Sequence, residues 1–121
     1  MNHKKTIILG ATTEPGRYAN LAANRLVKLG YTIVNVGLKS GDVAGVNIEK
    51  PEIIHNDIDT ISLYINPLNQ ATLYDYILLT NPKRIIFNPG AENPVLELLA
   101  RKRGIQTEIA CTLVLLNTGQ Y

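Results

Sequence analysis

The sequence predicts an α/β domain built on a parallel sheet, and three observations carry that prediction. Apolar runs of strand length alternate with stretches of helical period. Gly, Pro or Asn punctuates most of the junctions between them. The first apolar run ends in a small-residue turn that leads into a helix, the opening of a strand–helix–strand crossover. The length of 121 residues fits one domain. A chain of that size buries roughly two-thirds of its unfolded surface, so its core needs no covalent staple.

The elements follow in order. Thr6-Ile7-Ile8-Leu9 is uninterrupted and apolar, as a strand covered on both faces should be. After the loop from Gly10 to Gly16, Leu21, Ala22, Leu26 and Leu29 share one helical stripe, with Asn20, Asn24 and Lys28 off it. Gly30 stands where the glycine beyond a helix C-cap belongs. Thr32 to Val36 is the second strand, stopped by Gly37. From Leu38 to Asp59 the pattern is least regular, with a short strand at Val46–Ile48 and a helical turn around Pro51–Ile54. Thr60 to Ile65 is the third strand. Asn66-Pro67 then starts a helix, Asn as N-cap and Pro at the first helical position, running to about Leu79 before Asn81-Pro82. Arg84 to Asn88 is the fourth strand. Asn93-Pro94 repeats the cap-and-proline start, with Val95, Leu96 and Leu99 facing inward and Gly104 at the end. Thr107 to Ala110 is the fifth strand, and the apolar run Leu113 to Leu116 fits either element type.

Five strands separated by helices suit a Rossmann-like three-layer sandwich, a parallel sheet of order 3-2-1-4-5 with helices on both faces. Ligands in such sheets bind beyond the carboxyl ends of the strands. The loops to read for chemistry are therefore 10–17, 37–42, 65–67, 88–93 and 110–112.

Composition narrows the partners. A single Cys forms no internal disulfide and points to a reducing, cytoplasmic setting. No apolar run reaches 18 residues, so no membrane span is expected. The basic N-terminus, which includes His3, leads into an apolar stretch too short for a signal peptide. A formal charge of +2 is too balanced for a dedicated nucleic-acid binder.

The loop Gly10-Ala11-Thr12-Thr13-Glu14-Pro15-Gly16-Arg17 is a phosphate cradle by position. Small residues entering a helix leave backbone N–H groups open to an anion, aided by the helix dipole. It is not a G-x-G-x-x-G, because Thr12 replaces the second glycine, and no Lys-Ser/Thr follows Gly16 to make a Walker A loop. A turn that needs glycine for backbone reasons alone explains it equally well. Arg17 reads as a charged partner for such an anion or as a solvated first-turn residue. At the end of the second strand, an NAD site wants an acid for the ribose diol. This chain offers none before Asp42. Lys39 there suits a phosphorylated ribose, the 2′-phosphate of NADP or the 3′-phosphate of coenzyme A (CoA). The plain alternative is a solvent-facing loop lysine.

Five stretches together resemble a known family: Ile8 to Thr12 with Pro15, Arg17 and Tyr18; Gly30 to Val36; Ile61 to Pro67; Asn88 to Asn93; and Cys111 to Leu113. Over almost the whole chain they are similar to the small, free-standing CoA-binding proteins of Rossmann-like fold, themselves similar to the CoA-binding domain of the succinyl-CoA synthetase α subunit. The resemblance implies a bound CoA or acyl-CoA. Its pyrophosphate would lie on Gly10, Ala11, Thr12, Thr13, Pro15, Gly16, Arg17 and Tyr18, and its adenosine end near Val36, Gly37 and Lys39. Ile65, Asn66 and Pro67 would form the adjoining wall, with Pro89, Gly90 and Ala91 near the pantetheine. The chain departs from the family at Gly37-Leu38-Lys39, where Asn-Pro-Lys is common, and aligns loosely from Gly41 to Lys50.

Catalytic signals are sparse. His3 lies in a tail and His55 in a loop, so no His-based dyad is expected, and no His/Cys cluster has metal-ligand spacing. Glu92 is a lone carboxylate in a ligand-facing loop, better read as a capping or solvated residue than as a general base. Cys111 is an acyl acceptor or, more in keeping with free cysteines generally, a small buried hydrophobe. The expected function is therefore a non-catalytic sensor, carrier or regulatory module for CoA or a small acyl-CoA. The alternative is an NADP-linked reductase or other minimal dinucleotide-fold enzyme, against which the lack of room for a substrate domain weighs. The run Leu113 to Leu116 exceeds what a last strand needs and suggests a homodimer.

Overall fold

The computed structural model describes residues 4–121, so His3 lies outside the described residues. In chain order the elements are β1 (Thr6–Leu9), α1 (Tyr18–Lys28), β2 (Ile33–Val36), β3 (Asp42–Val43), β4 (Val46–Glu49) and β5 (Thr60–Leu63). Two 3-10 turns (Pro67–Asn69 and Ala71–Leu73), α2 (Tyr74–Thr80), β6 (Arg84–Phe87), α3 (Pro94–Lys102), β7 (Gln106–Ile109) and α4 (Thr112–Asn117) complete it. All strands join one Rossmann-like sheet of order β3-β4-β2-β1-β5-β6-β7. Every pairing is parallel except β3 with β4.

The sheet is larger than expected, and its order differs from 3-2-1-4-5: the five anticipated strands run second, first, third, fourth, fifth. The difference comes from 42–49. There Ala44 and Gly45 take φ values of 55° and 77°, the two positive values of a tight hairpin turn. The hairpin's second strand pairs parallel with β2, Asn35 opposite Ile48 and Val36 opposite Glu49. It occupies the sheet edge beyond β2. The Asn35 amide secures the hairpin by donating to the carbonyls of Val43 (3.1 Å) and Val46 (3.0 Å). Pro51–Glu52 forms a turn and no helix.

Alternation along the strands feeds two cores. Ile7, Leu9, Ile61, Leu63, Ile85 and Phe87 face α2 and α3, while Ile8, Ile33, Ile48 and Ile86 face α1 and α4. Each such side chain, fully buried, contributes roughly 1.5–3 kcal/mol. The buried stripe of α1 is displaced from the expected one: Ala19, Asn20, Ala22, Ala23 and Leu26 face in, and Leu21 and Leu29 face solvent. Alanines let the helix approach the sheet closely, and Asn20 is drawn inward because its amide donates to the Thr12 carbonyl at 3.0 Å. In α3, Leu96 is buried and Leu99 half-buried as expected, but Val95 points outward.

The two Asn-Pro starts form as read. Asn66 Oδ1 accepts the Leu68 N–H at 2.9 Å, and Asn93 Oδ1 accepts those of Val95 and Leu96. The helix after Asn66 is broken into two 3-10 turns before α2 begins, and Asn81 closes α2 with φ 50°. The run Leu113 to Leu116 lies in α4, against the α1 face of the sheet. Leu116 is buried, Leu113 and Leu115 half-buried, and only Val114 is well exposed. Its apolar surface is thus mostly used within the chain and no longer argues for a partner. Tyr121 folds back beneath the amino ends of the strands, hydrogen-bonded to Thr6, edge-on to Tyr31, with the Arg84 guanidinium 4.5 Å from its ring centre. Among the described residues no helix is long and apolar enough to cross a membrane.

Candidate functional site

The carboxyl ends of β1, β2 and β5 open into a cavity of about 390 Å³. Gly10, Ala11, Thr12, Thr13 and Arg17 form one side of it, continued by Val36, Gly37 and Lys39. Ile65 stands opposite. A smaller cavity of about 160 Å³ shares Gly10, Thr12 and Arg17, and adds Tyr18, Tyr64 and Pro89. The loop after β1 is therefore a ridge between two chambers. Pro15, Gly16, Asn66, Pro67, Gly90 and Ala91 line neither. Pro15, Gly16 and Gly90 are exposed loop residues, and Ala91 is buried with its carbonyl accepting from Gln70.

Sequence reasoning missed Leu9, Leu38, Pro51, Asn69, Thr72 and Leu73, which with Glu14 of the ridge loop complete the larger cavity, and Ala19 and Tyr64 in the smaller one. Asn69 and Thr72 are three apart and reach one wall because the segment winds as 3-10 turns.

The ridge differs from a simple row of open amides. The N–H groups of Gly10 and Ala11 both donate to the Val36 carbonyl, at 2.9 and 3.0 Å. They tie β1 to β2 and are not open to a ligand. Thr12, Thr13 and Gly16 have amides without a hydrogen-bond partner among the described residues. The first turn of α1 begins on Arg17, whose side chain makes no cap. Arg17 itself is mostly exposed and only loosely paired with Glu14, at 3.8 Å. Lys39 stands exposed on the rim. Open amides and two cations beside an apolar-walled chamber suit an anion joined to an apolar or aromatic group.

Neighbouring loops are fastened side chain to backbone. Gln70 donates through Nε2 to the carbonyls of Ile65 (2.7 Å) and Ala91 (2.8 Å). The Asn88 amide donates to Ser62 Oγ and the Leu63 carbonyl, both at 3.0 Å, while its Oδ1 accepts the Thr112 N–H at 2.8 Å. These bonds hold the walls before any ligand arrives.

Chemically reactive groups are few. Glu92 is exposed and accepts the Gly90 N–H at 2.7 Å, so it caps its own loop. Cys111 is a free thiol, half-buried rather than mostly buried, at the N-cap of α4. Burial pushes the Tyr64 hydroxyl up to about 12, against the pull of the Ser62 and Thr112 hydroxyls, so it stays neutral. His55 does have an acidic partner, contrary to expectation: its Nε2 lies 2.8 Å from Glu49 Oε2. The fold brings together two residues six apart that no helical or strand spacing would pair. Among the described residues no group of three or more His, Cys, Asp or Glu could hold a metal ion.

Comparison with known proteins agrees with this architecture. A crystal structure of an uncharacterized protein is 49% identical, with a TM-score of 0.96 and all of both chains covered. The redesigned PH1109 protein Prb is 20% identical over 98% of this chain and 83% of its own, with a TM-score of 0.82, and shares the fold. The dinucleotide-forming acetyl-coenzyme A synthetase 1 of Ca. Korarchaeum cryptofilum also shares it. That match has 13% identity and a TM-score of 0.67, and covers 88% of this chain but 25% of the larger one. No curated protein matches the sequence. Residues 4–117 match the CoA binding domain family. By that match the chain belongs to the CoA-binding domain family, of which it is a small α/β member.

Proposed function

We propose that this chain binds coenzyme A across the ridge, as a non-catalytic sensor, carrier or regulatory module. The observation that carries the reading is the juxtaposition of open amides at Thr12 and Thr13 with Lys39 on the rim of one apolar-walled chamber. In this reading the pyrophosphate takes the ridge amides, with Arg17 beside it. The adenosine enters the larger chamber, with its ribose 3′-phosphate against Lys39. The pantetheine leaves over the smaller chamber toward Tyr64 and Pro89. No reactive group in either chamber has a partner that would activate it, which favours binding over turnover.

Titration calorimetry tests this. A charge-assisted contact contributes roughly 1.5–3 kcal/mol, or one to two decades in affinity. CoA should bind tighter than 3′-dephospho-CoA by that factor, and NAD more weakly than either. Lys39→Ala should remove most of the gap and leave dephospho-CoA binding nearly unchanged. NAD or NADP binding as tightly as CoA would overturn the reading.

A further inference from the structure

The turn that opens α1 sets two opposite charges side by side. Pro15 fixes the backbone angle a turn needs at its second position, and Gly16 follows without a side chain. The Arg17 N–H donates back to the Glu14 carbonyl at 3.2 Å. The Glu14 N–H donates in turn to Thr12 Oγ1 at 3.2 Å. Glu14 is thus held at both backbone groups. Its carboxylate stands 3.8 Å from the Arg17 guanidinium, with the two side chains 66% and 70% exposed.

Among the described residues that line the larger cavity, Glu14 is the one acid, beside the cations Arg17 and Lys39. Glu92, the acid of a neighbouring loop, lines neither chamber and caps Gly90. A carboxylate next to the open amides of Thr12 and Thr13 opposes the anion that those amides attract. The fold does not call for that charge. Among the described residues the Glu14 carboxylate makes no hydrogen bond, and its contact with Arg17 is too long to be one. An ion pair this exposed and this loose adds little stability.

We infer that Glu14 selects among pyrophosphates, favouring one esterified at both ends over one that ends in a free phosphate. An esterified pyrophosphate carries one negative charge on each phosphate. A terminal phosphate loses a second proton at about pH 6 and so adds a further charge. Arg17 and the ridge amides attract both forms, whereas Glu14 repels the more highly charged form more strongly. One extra unit charge at about 4 Å in water changes affinity by up to about fivefold. Exposure of the Glu14 side chain brings this toward about threefold. The ridge thus disfavours nucleoside di- and triphosphates. NAD, whose pyrophosphate is also esterified at both ends, passes Glu14 and is left to Lys39. This rests on the reading of the ridge as the pyrophosphate site of CoA.

The test uses dephospho-CoA and ADP, which share adenosine and its 5′-pyrophosphate and differ in whether the far phosphate is esterified. Calorimetry at pH 8 and low salt compares wild type with Glu14→Gln and Glu14→Asp. Glu14→Gln should tighten ADP about threefold more than it tightens dephospho-CoA, a gap that narrows in high salt. Glu14→Asp, which keeps the charge, should discriminate as wild type does. Equal gains for the two ligands would mean that Glu14 only occupies Arg17, and no gain for either would mean that its charge is idle. Either result, or Glu14→Asp behaving as Glu14→Gln does, would overturn the selection. If neither CoA nor dephospho-CoA binds any of the three proteins, the CoA reading fails by itself. Tighter ADP binding by Glu14→Gln than by wild type then still upholds the repulsion, and equal or absent ADP binding overturns it as well.

Discussion

Asn93 Nδ2 donates to Gln70 Oε1 at 2.8 Å, and Gln70 is fully buried. Two loops that leave different strands are joined by this bond and by the Gln70 amide donating to the Ala91 carbonyl at 2.8 Å. The Asn93 amide also reaches the Tyr74 hydroxyl at 2.8 Å, and its own oxygen caps α3. A buried amide with every group satisfied holds a loop rigidly, and one that loses its partners costs the full desolvation of what remains. The wall carrying Ile65, Asn69 and Thr72 is set by this network, before any ligand.

Replacing Gln70 with Leu should therefore cost about 2–3 kcal/mol, the cost of stranding the carbonyls of Ile65 and Ala91 and the Asn93 amide. Urea unfolding checks it. Asn93→Ala removes the helix cap as well, worth about 1 kcal/mol. The double variant should cost less than the sum of the two, because both remove the same bond.

Gly37 and Gly16 make a contrasting pair. A β-carbon at Gly37 would lie 2.6 Å from the Ala11 carbonyl oxygen, a backbone atom that cannot swing aside. At Gly16 it would meet nothing within 4 Å. Gly37→Ala should destabilise the fold by about 1–3 kcal/mol and widen the gap between the first two ligand loops, weakening CoA binding. Gly16→Ala should leave thermal stability within about 0.5 kcal/mol of wild type. Equal melting temperatures for the two variants would show that the close approach carries no weight.

Gly10 is constrained by its backbone. Its φ is 102°, and an added β-carbon would sit 3.2 Å from both Tyr64 Cβ and Ile65 Cγ1. Gly10→Val should weaken CoA and dephospho-CoA alike, since it disturbs the ridge rather than the ribose-phosphate contact. Its stability cost is about 1–3 kcal/mol. A loss confined to CoA would contradict this division of labour.

Stability should fall in base. Burial raises the Tyr64 and Tyr76 hydroxyls to about 12, and it raises Tyr121 as well. Each group is easier to ionise in the unfolded chain, near pH 10. Each therefore contributes little pH dependence until about one unit below that value. As pH rises through the interval from 10 to about 12, the unfolded state sheds protons that the folded state retains, and stability drops. Denaturant midpoints at pH 8, 10 and 11 should fall slightly over the first interval and more steeply over the second. Tyr76→Phe should shallow the fall by removing one of the ionising groups, at little cost in stability because its hydroxyl has no hydrogen-bond partner to lose.

What the sequence determined by itself was local. The β1 run, the Asn66-Pro67 and Asn93-Pro94 starts and the glycines that end α1 and α3 form as read, because capping and backbone freedom act over four or five residues. The placement of a site beyond the carboxyl ends of the strands needed only the parallel topology. Tertiary structure decided the rest. Asn20 faces inward and Leu21 outward because a distant carbonyl, that of Thr12, claims the Asn20 amide. The 113–116 run became α4 because a helix face was open beside α1. Of the ridge amides, Gly10 and Ala11 are spent on the Val36 carbonyl while Thr12 and Thr13 stay open. That division depends on how closely two strands approach, and neither strand encodes the distance to the other.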